Sequence, residues 1–287
     1  MRKMIFMIVA TILASCAKNP ENEELDERHG DEEMIEITIS IIGPKWGEPQ
    51  TRGLEADGQE LEDLWIFEKR DEGVSLVVHQ SKNDLDFGSP KFKLRVGEKT
   101  LYIIASRGAQ PALDMDEMTI SWLKPKDTFW ASHEIEVSNN TSHISVTLQR
   151  VVAKMEVSLS DLIPDNLAKV MVHADEWRHG LFIMTGEPTS ISEDDFDFAV
   201  PDAYAGTEGA LTIFLYTFAG ETAWSSSFAF TGIDDDGSAI NTRELSSVRF
   251  RRNMITAVRG YLLSGDMTSE ISVDDTWSDS HDFDEEL

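Results

Sequence analysis

The sequence predicts an all-β protein made of two tandem β-sandwiches, preceded by a short leader and an acidic spacer. From residue 34 onward, short apolar or alternating runs are separated by Gly, Pro, Asp and Asn, which favour turns. No segment has the apolar spacing and caps of a long amphipathic helix, although residues 115–123 allow one or two helical turns. Many short strands at even spacing are typical of β-sandwiches.

The body begins with a strand of period two. Polar residues separate four isoleucines, so one face of this strand is apolar. The four are Ile35, Ile37, Ile39 and Ile41. Residues 64–67 and 74–78 then predict a hairpin. Alternation returns in the set Phe92, Leu94 and Val96, and the continuous apolar run at residues 100–105 is typical of a central strand.

A break in phase divides the body into two parts. Apolar residues alternate up to Leu148, whereas the next strand alternates in the opposite phase from Val151. One strand cannot keep both sets on one face without a bulge or a break. We therefore predict domains at residues 34–149 and 150–287, which suits the usual domain size of about 100–150 residues. Further strands are predicted at residues 170–174, 211–218, 224–230, 253–263 and 271–273.

The first 15 residues have the features of an export signal. Arg2 and Lys3 precede an apolar run that is shorter than the ~20 residues needed to span a bilayer as a helix. The following Leu13-Ala14-Ser15-Cys16 resembles the lipobox of bacterial lipoproteins, in which the cysteine receives a diacylglyceryl group and becomes the new N-terminus. Ordinary secretion is the alternative, with cleavage after Ala17. Lipidation is favoured because this is the only cysteine in the chain.

Charge and cysteine content exclude several classes of function. The formal net charge is −28, and so acidic a protein is a poor partner for nucleic acid. One cysteine provides neither a disulfide framework nor a thiolate metal site. Many acids lie in the predicted spacer at residues 16–33 and in the C-terminal tail, where they form solvated runs. Acids that follow the cysteine resemble the surface-export signal of Bacteroidetes lipoproteins.

No motif predicts an enzyme. The seven histidines form no H-E-x-x-H pair, and neither a G-x-S-x-G elbow nor a P-loop is present. We interpret the ionisable residues between His173 and His179 as a polar strand end. Residues 234–237 are interpreted as a hairpin turn rather than a calcium loop. We therefore predict no catalytic residue, no cofactor and no metal ligand.

The order of these features resembles the fimbrillin superfamily of Bacteroidales fimbriae, which includes minor and anchor subunits. The lipobox leads into an acidic spacer, and Thr51-Arg52-Gly53 lies between the first two strands. Residues 148–157 are similar to the Arg-x-x-Ala-Lys strand that opens the second fimbrillin domain, and residues 253–277 look like the family's C-terminal ending. The resemblance implies two transthyretin-like sandwiches and assembly by strand donation.

The resemblance also assigns roles to particular residues. In polymerising fimbrillins a trypsin-like protease cuts after an arginine behind the first strand, and a strand of another subunit fills the groove. Here the cut would fall between Arg52 and Gly53, and the displaced strand would carry the four isoleucines. The alternative is that Arg52 is a surface-loop arginine that is never cut. The candidate C-terminal donor strand contains Ile271, Val273 and Trp277.

Polar residues interrupt that donor strand, which favours an anchor or minor-subunit role. The implied partners are other fimbrial subunits, outer-membrane lipid through Cys16, and ligands on host or bacterial surfaces. We expect a lipid-anchored protein of the outer membrane, exposed at the cell surface. The main alternative is a glycan-binding lipoprotein of a polysaccharide-uptake system, which would use exposed aromatic rings. Its candidate rings are Trp46, Trp122, Trp130, Trp177 and Trp224.

Overall fold

Strands dominate the protein. The structure is a computed structural model that describes residues 33–42, 61–108, 110–209, 211–263 and 270–274. Within these ranges the single helical element is a 3-10 turn at Asp202–Tyr204, so the prediction of an all-β fold is confirmed. No helix in these ranges is long and apolar enough to cross a bilayer.

Eight of the first ten strands form two sheets that face each other, and β6 and β7 belong to a separate small sheet. The ten strands are β1 (Met34–Ile42), β2 (Asp63–Arg70), β3 (Gly73–Ser81), β4 (Lys91–Arg95), β5 (Gly97–Ser106), β6 (Ala112–Asp114), β7 (Thr119–Ser121), β8 (Thr128–Val137), β9 (His143–Thr147) and β10 (Gln149–Arg150). One sheet has the order β4-β1-β9 and the other β10-β8-β5-β2-β3. Side chains of both sheets, such as Ile39, Ile103 and Phe129, meet in one core. This is the N-terminal sandwich.

The remaining strands form a second sandwich. They are β11 (Val152–Leu159), β12 (Leu167–Trp177), β13 (Gly180–Phe182), β14 (Ser192–Ala199), β15 (Leu211–Phe218), β16 (Trp224–Asp234), β17 (Ala239–Phe250), β18 (Ile255–Gly260) and β19 (Glu270–Asp274). Their two main sheets have the orders β15-β11-β18-β19 and β14-β12-β16-β17. Met155, Val172 and Phe228 belong to the core that the strands of these sheets enclose.

Both sandwiches have the same strand topology. In each, the first strand lies between a strand with which it is antiparallel and the next-to-last strand, with which it is parallel: β1 between β4 and β9, and β11 between β15 and β18. The facing sheets correspond as well, with the antiparallel order β3-β2-β5-β8 matching β14-β12-β16-β17. The chain therefore uses one strand plan twice. The proposed domain boundary at residues 149/150 stays a prediction.

A third core joins the two sandwiches. It combines Trp65 of β2 with Phe214 of β15 and with Ile120 of β7. The small sheet β13-β7-β6 crosses the same junction. Gly180 of β13 lies so close to β7 that a Cβ atom there would come within 2.3 Å of the Ile120 carbonyl oxygen. The residues around 115–123, where the sequence allows helical turns, instead form turns and β7.

A buried ion pair lies at the point where the chain passes between sandwiches. Arg150 is 6% exposed, and its Nε and Nη2 donate hydrogen bonds to the two carboxylate oxygens of Asp127 at 2.7 and 3.2 Å. Its Nη1 donates to the side chain of Asn253, just before β18. Arg107 approaches the same carboxylate at 3.6 Å. One arginine therefore ties β10 to the segments before β8 and β18.

Asp127→Ala should lower the unfolding free energy by about 3–5 kcal/mol, because it leaves the buried guanidinium of Arg150 without its carboxylate partner. Asp197→Ala is the matched control, since Asp197 pairs with Lys169 at 3.0 Å on an exposed surface and should cost less than about 1 kcal/mol. Urea denaturation of both variants measures the difference. Equal losses would contradict a structural role for the buried pair.

Candidate functional site

Strand β1 is the central element of its sheet. From Met34 to Thr38 it pairs antiparallel with β4, and from Thr38 to Ile42 it pairs parallel with β9. Among the described strands, no other pairs with β4 or β9. The integrity of this sheet therefore depends on β1.

The apolar face of β1 fills the N-terminal core. Ile37, Ile39 and Ile41 are at most 1% exposed, Ile35 is half-buried, and Glu36 points to solvent. This is the arrangement that the period-two pattern predicts. Burying one such side chain contributes about 1.5–3 kcal/mol, so the three buried isoleucines are a large part of what holds β1 in place.

Backbone hydrogen bonds fix β1 on both sides. In the loop that precedes β4, the Pro90 and Gly88 carbonyls accept hydrogen bonds from the Ile39 and Ile41 N–H groups at 3.2 and 3.1 Å. On the opposite side, the Leu148 N–H donates to the Ile42 carbonyl at 3.0 Å. Removing β1 would leave such groups without partners along both walls of a groove whose floor is apolar. A groove of this kind binds an extended segment with alternating apolar residues.

Sequence reasoning missed the loop that forms part of this groove. Gly88 and Pro90 lie in a turn before β4, and their composition alone indicates only a chain reversal. Proline has no N–H group, but its carbonyl accepts normally. The loop before β4 therefore continues the hydrogen bonding along this side of β1 where the pairing with β4 ends.

The structure brings together only some of the predicted site residues. The four isoleucines share one face of β1. Ile271 and Val273 lie on β19, an edge strand that pairs antiparallel with β18. Cys16, Arg52, Gly53 and Trp277 lie outside the described residues. The roles proposed for all of these residues stay predictions.

The polar residues near His173 form a cross-strand pair. His173 on β12 lies opposite Asp195 on β14, with its Nδ1 atom 2.8 Å from the carboxylate. This hydrogen bond raises the pKa of His173 above its ordinary value, and the negative charges of Asp195, Asp175 and Glu193 add to the effect. In the part of the chain that the structure describes, no group of three His, Cys, Asp or Glu side chains could hold a metal ion.

The candidate sugar-binding tryptophans are largely structural. Trp122 and Trp177 are buried, and the Trp122 indole donates to the Gly108 carbonyl at 2.8 Å. Trp130 is half-buried and donates to the Ile183 carbonyl, while the guanidinium of Arg178 lies 4.8 Å from the Trp224 ring. Trp46 lies outside the described residues. Two of the candidate rings are therefore core residues that cannot form an exposed platform.

The model of a protein family of unknown function, DUF6562, matches residues 116–286. The chain belongs to this family. The match covers parts of both sandwiches, including the whole of the second as far as the structure describes it. No curated protein matches the chain.

Two solved structures show a distant likeness. A fimbrial assembly protein from Parabacteroides distasonis is 11% identical, with 85% of this chain and 100% of that chain covered and a TM-score of 0.45. The tip fimbrial protein of Porphyromonas gingivalis, truncated at its C-terminus, is 14% identical, with 83% and 99% covered and a TM-score of 0.42.

Ile39→Ala should lower the unfolding free energy by about 2–5 kcal/mol, because it creates a cavity under the central strand. Glu36→Ala, on the exposed face of the same strand, is the control and should stay within about 0.5 kcal/mol of the parent. Chemical denaturation of the full chain provides both values. If Ile39→Ala were as stable as its control, β1 would not be anchored by its apolar face.

Proposed function

We propose that this chain is a cell-surface lipoprotein that serves as an anchor or minor subunit of a fimbria and joins other subunits by strand exchange at β1. The observation that carries the proposal is the position of β1. It is the pairing partner that β4 and β9 share, and its side chains fill the core. Its exchange would therefore create a groove that only another strand could close. The sequence resemblance to fimbrillins supports the same role.

The N-terminal segment supports attachment to a membrane. Cys16 would carry the lipid, and the 16–33 spacer separates it from β1. At about 3.4 Å per extended residue, a spacer of this length reaches at most ~60 Å. Acyl chains stabilise binding by about 0.8 kcal/mol per buried CH₂ group, so two or more chains hold a protein on a membrane. The spacer would let the body stand away from the outer membrane and meet other subunits.

Arg52 determines what kind of subunit this is. Cleavage after Arg52 would separate both the lipid and β1 from the rest of the chain, and the body would then accept a donor strand. Without cleavage the lipid and β1 remain on the same chain, and the protein stays at the membrane as an anchor. The candidate donor strand at the C-terminus has five residues against the nine of β1 and is interrupted by Ser272 and Asp274. It is therefore a poor replacement for β1, which supports the anchor role.

We also propose that residues 34–149 and 150–287 are the two domains of this subunit. Each contains one copy of the shared strand plan, and each has its own core. The third core and the ion pair at Arg150 would make them move as one body. A rigid junction suits a subunit that transmits force from a fimbria to a lipid anchor.

Mass spectrometry of the chain in fimbriae extracted with detergent from the outer membrane of the producing cells tests the proposal. The expected species begins at lipidated Cys16, and Arg52→Ala leaves it unchanged. A chain that begins at Gly53, with Arg52→Ala blocking its formation, would contradict the anchor role and assign the protein to the shaft or tip. Absence of the chain from intact fimbriae, together with normal fimbriae after deletion of its gene, would contradict the fimbrial function itself.

A further inference from the structure

The shared topology exposes one difference between the two sandwiches. Strands β9 and β18 occupy equivalent positions, as each is the next-to-last strand of its sandwich and pairs parallel with the first. The outer edge of β18 carries β19 in antiparallel pairing. The outer edge of β9 carries no strand among the described residues. Among the described strands, the same plan therefore has this position filled in the second sandwich and unfilled in the first.

The outer edge of β9 is suited to receive a strand. The carbonyl of Ser142 and the N–H of Leu148 point towards β1, and backbone direction alternates along a strand. His143, Ser145 and Thr147 therefore point their N–H and C=O groups away from β1, and their side chains are exposed. An edge of unpaired N–H and C=O groups is a template for main-chain pairing.

Apolar side chains lie next to this edge. Ile144 of β9 and Ile135 of β8 pack against the N-terminal core but are only partly buried. The exposed positions of β9 bear no acidic group, and His143 is the single ionisable residue of the strand. An added strand with apolar and acidic residues would suit this edge.

We propose that the outer edge of β9 accepts strand β19 of a second copy of this chain, while β1 stays in place. Both strands have five residues. Val146 lies opposite the buried Ile41 of β1, and Val258 lies opposite the buried Val157 of β11. Val146 of β9 therefore corresponds to Val258 of β18.

The register of β19 on β18 can then be transferred to β9. Ile271 lies opposite Val258 and Ser272 opposite Ala257. On β9, Ile271 would therefore lie opposite Val146, Ser272 opposite Ser145, and Asp274 opposite His143, which gives an acid–histidine pair. Among the described strands β19 pairs with β18 alone, so moving it replaces five paired positions by five equivalent ones. A high local concentration, as on a membrane surface, then favours linked copies.

Engineered cysteines test this pairing in the full chain with Cys16→Ser. Ser145→Cys combined with Ser272→Cys should form disulfide-linked chains longer than dimers on oxidation, whereas each single variant stops at dimers. Paired strands bring such residues within the Cα distance of about 4.4–6.8 Å that a disulfide requires. Ala257→Cys with Ser272→Cys is the control and should close a disulfide within one chain. If the control closes and the test pair gives no disulfide between position 145 of one chain and position 272 of another, the inference is wrong.

A proline provides an independent test by sedimentation velocity. Ser145→Pro removes an N–H that points away from β1, so the fold should survive, and the Cys16→Ser chain should lose its concentration-dependent association. Ser145→Ala should associate as the parent does. Association unchanged by the proline, or a parent that stays monomeric at every accessible concentration, would overturn the inference. Neither test cuts or removes β1, so a negative result for the β9–β19 pairing leaves the fimbrial proposal standing. Failure of the fimbrial proposal would instead be detected by analysing the fimbriae.

Discussion

The fold depends on placing the first strand of each sandwich at the centre of a sheet. β1 must pair with β9 and β11 with β18, and in both cases the partner comes at the far end of the same sandwich. Such pairings carry a large loop-closure entropy, so they form late and slowly. Until β1 is in place, β4 and β9 have no pairing partner among the described strands. The same constraint that organises the core also creates a groove whenever the strand is absent.

The two central strands are held by different forces. β1 contributes isoleucines and no buried polar side chain among its described residues. β11 contains Lys154, which is 3% exposed and whose ammonium group lies 4.1 Å from the Phe214 ring, and it begins two residues after Arg150. Removing β11 would disturb buried charges, which is costly. Removing β1 would lose only apolar contacts and backbone hydrogen bonds, both of which a donor strand can restore.

Much of the fold could be predicted from the sequence because apolar alternation reports burial directly. β1, β5 and the β2-β3 hairpin are the clearest cases. β14 was missed because Asp195 and Asp197 surround Phe196, so acidity hid its period. β17 was missed because most of its residues are polar and exposed or half-buried, so they show no apolar alternation. The partner of Arg150 could not be predicted either, since Asp127 is distant in sequence and one of 53 acids. Val96 was assigned to β4 but lies exposed after its end.

Strand replacement at β1 is the most direct test of the account. A specific protease site would be introduced between residues 43 and 60 of the full chain, and the cut protein would be incubated with a labelled peptide of residues 34–42. The peptide should enter the cut chain and displace β1, while the uncut chain should exclude it. A peptide with Ile37→Asp and Ile39→Asp should fail to enter. If the cut chain never takes up the parent peptide, or takes up both peptides equally, β1 is not an exchangeable strand.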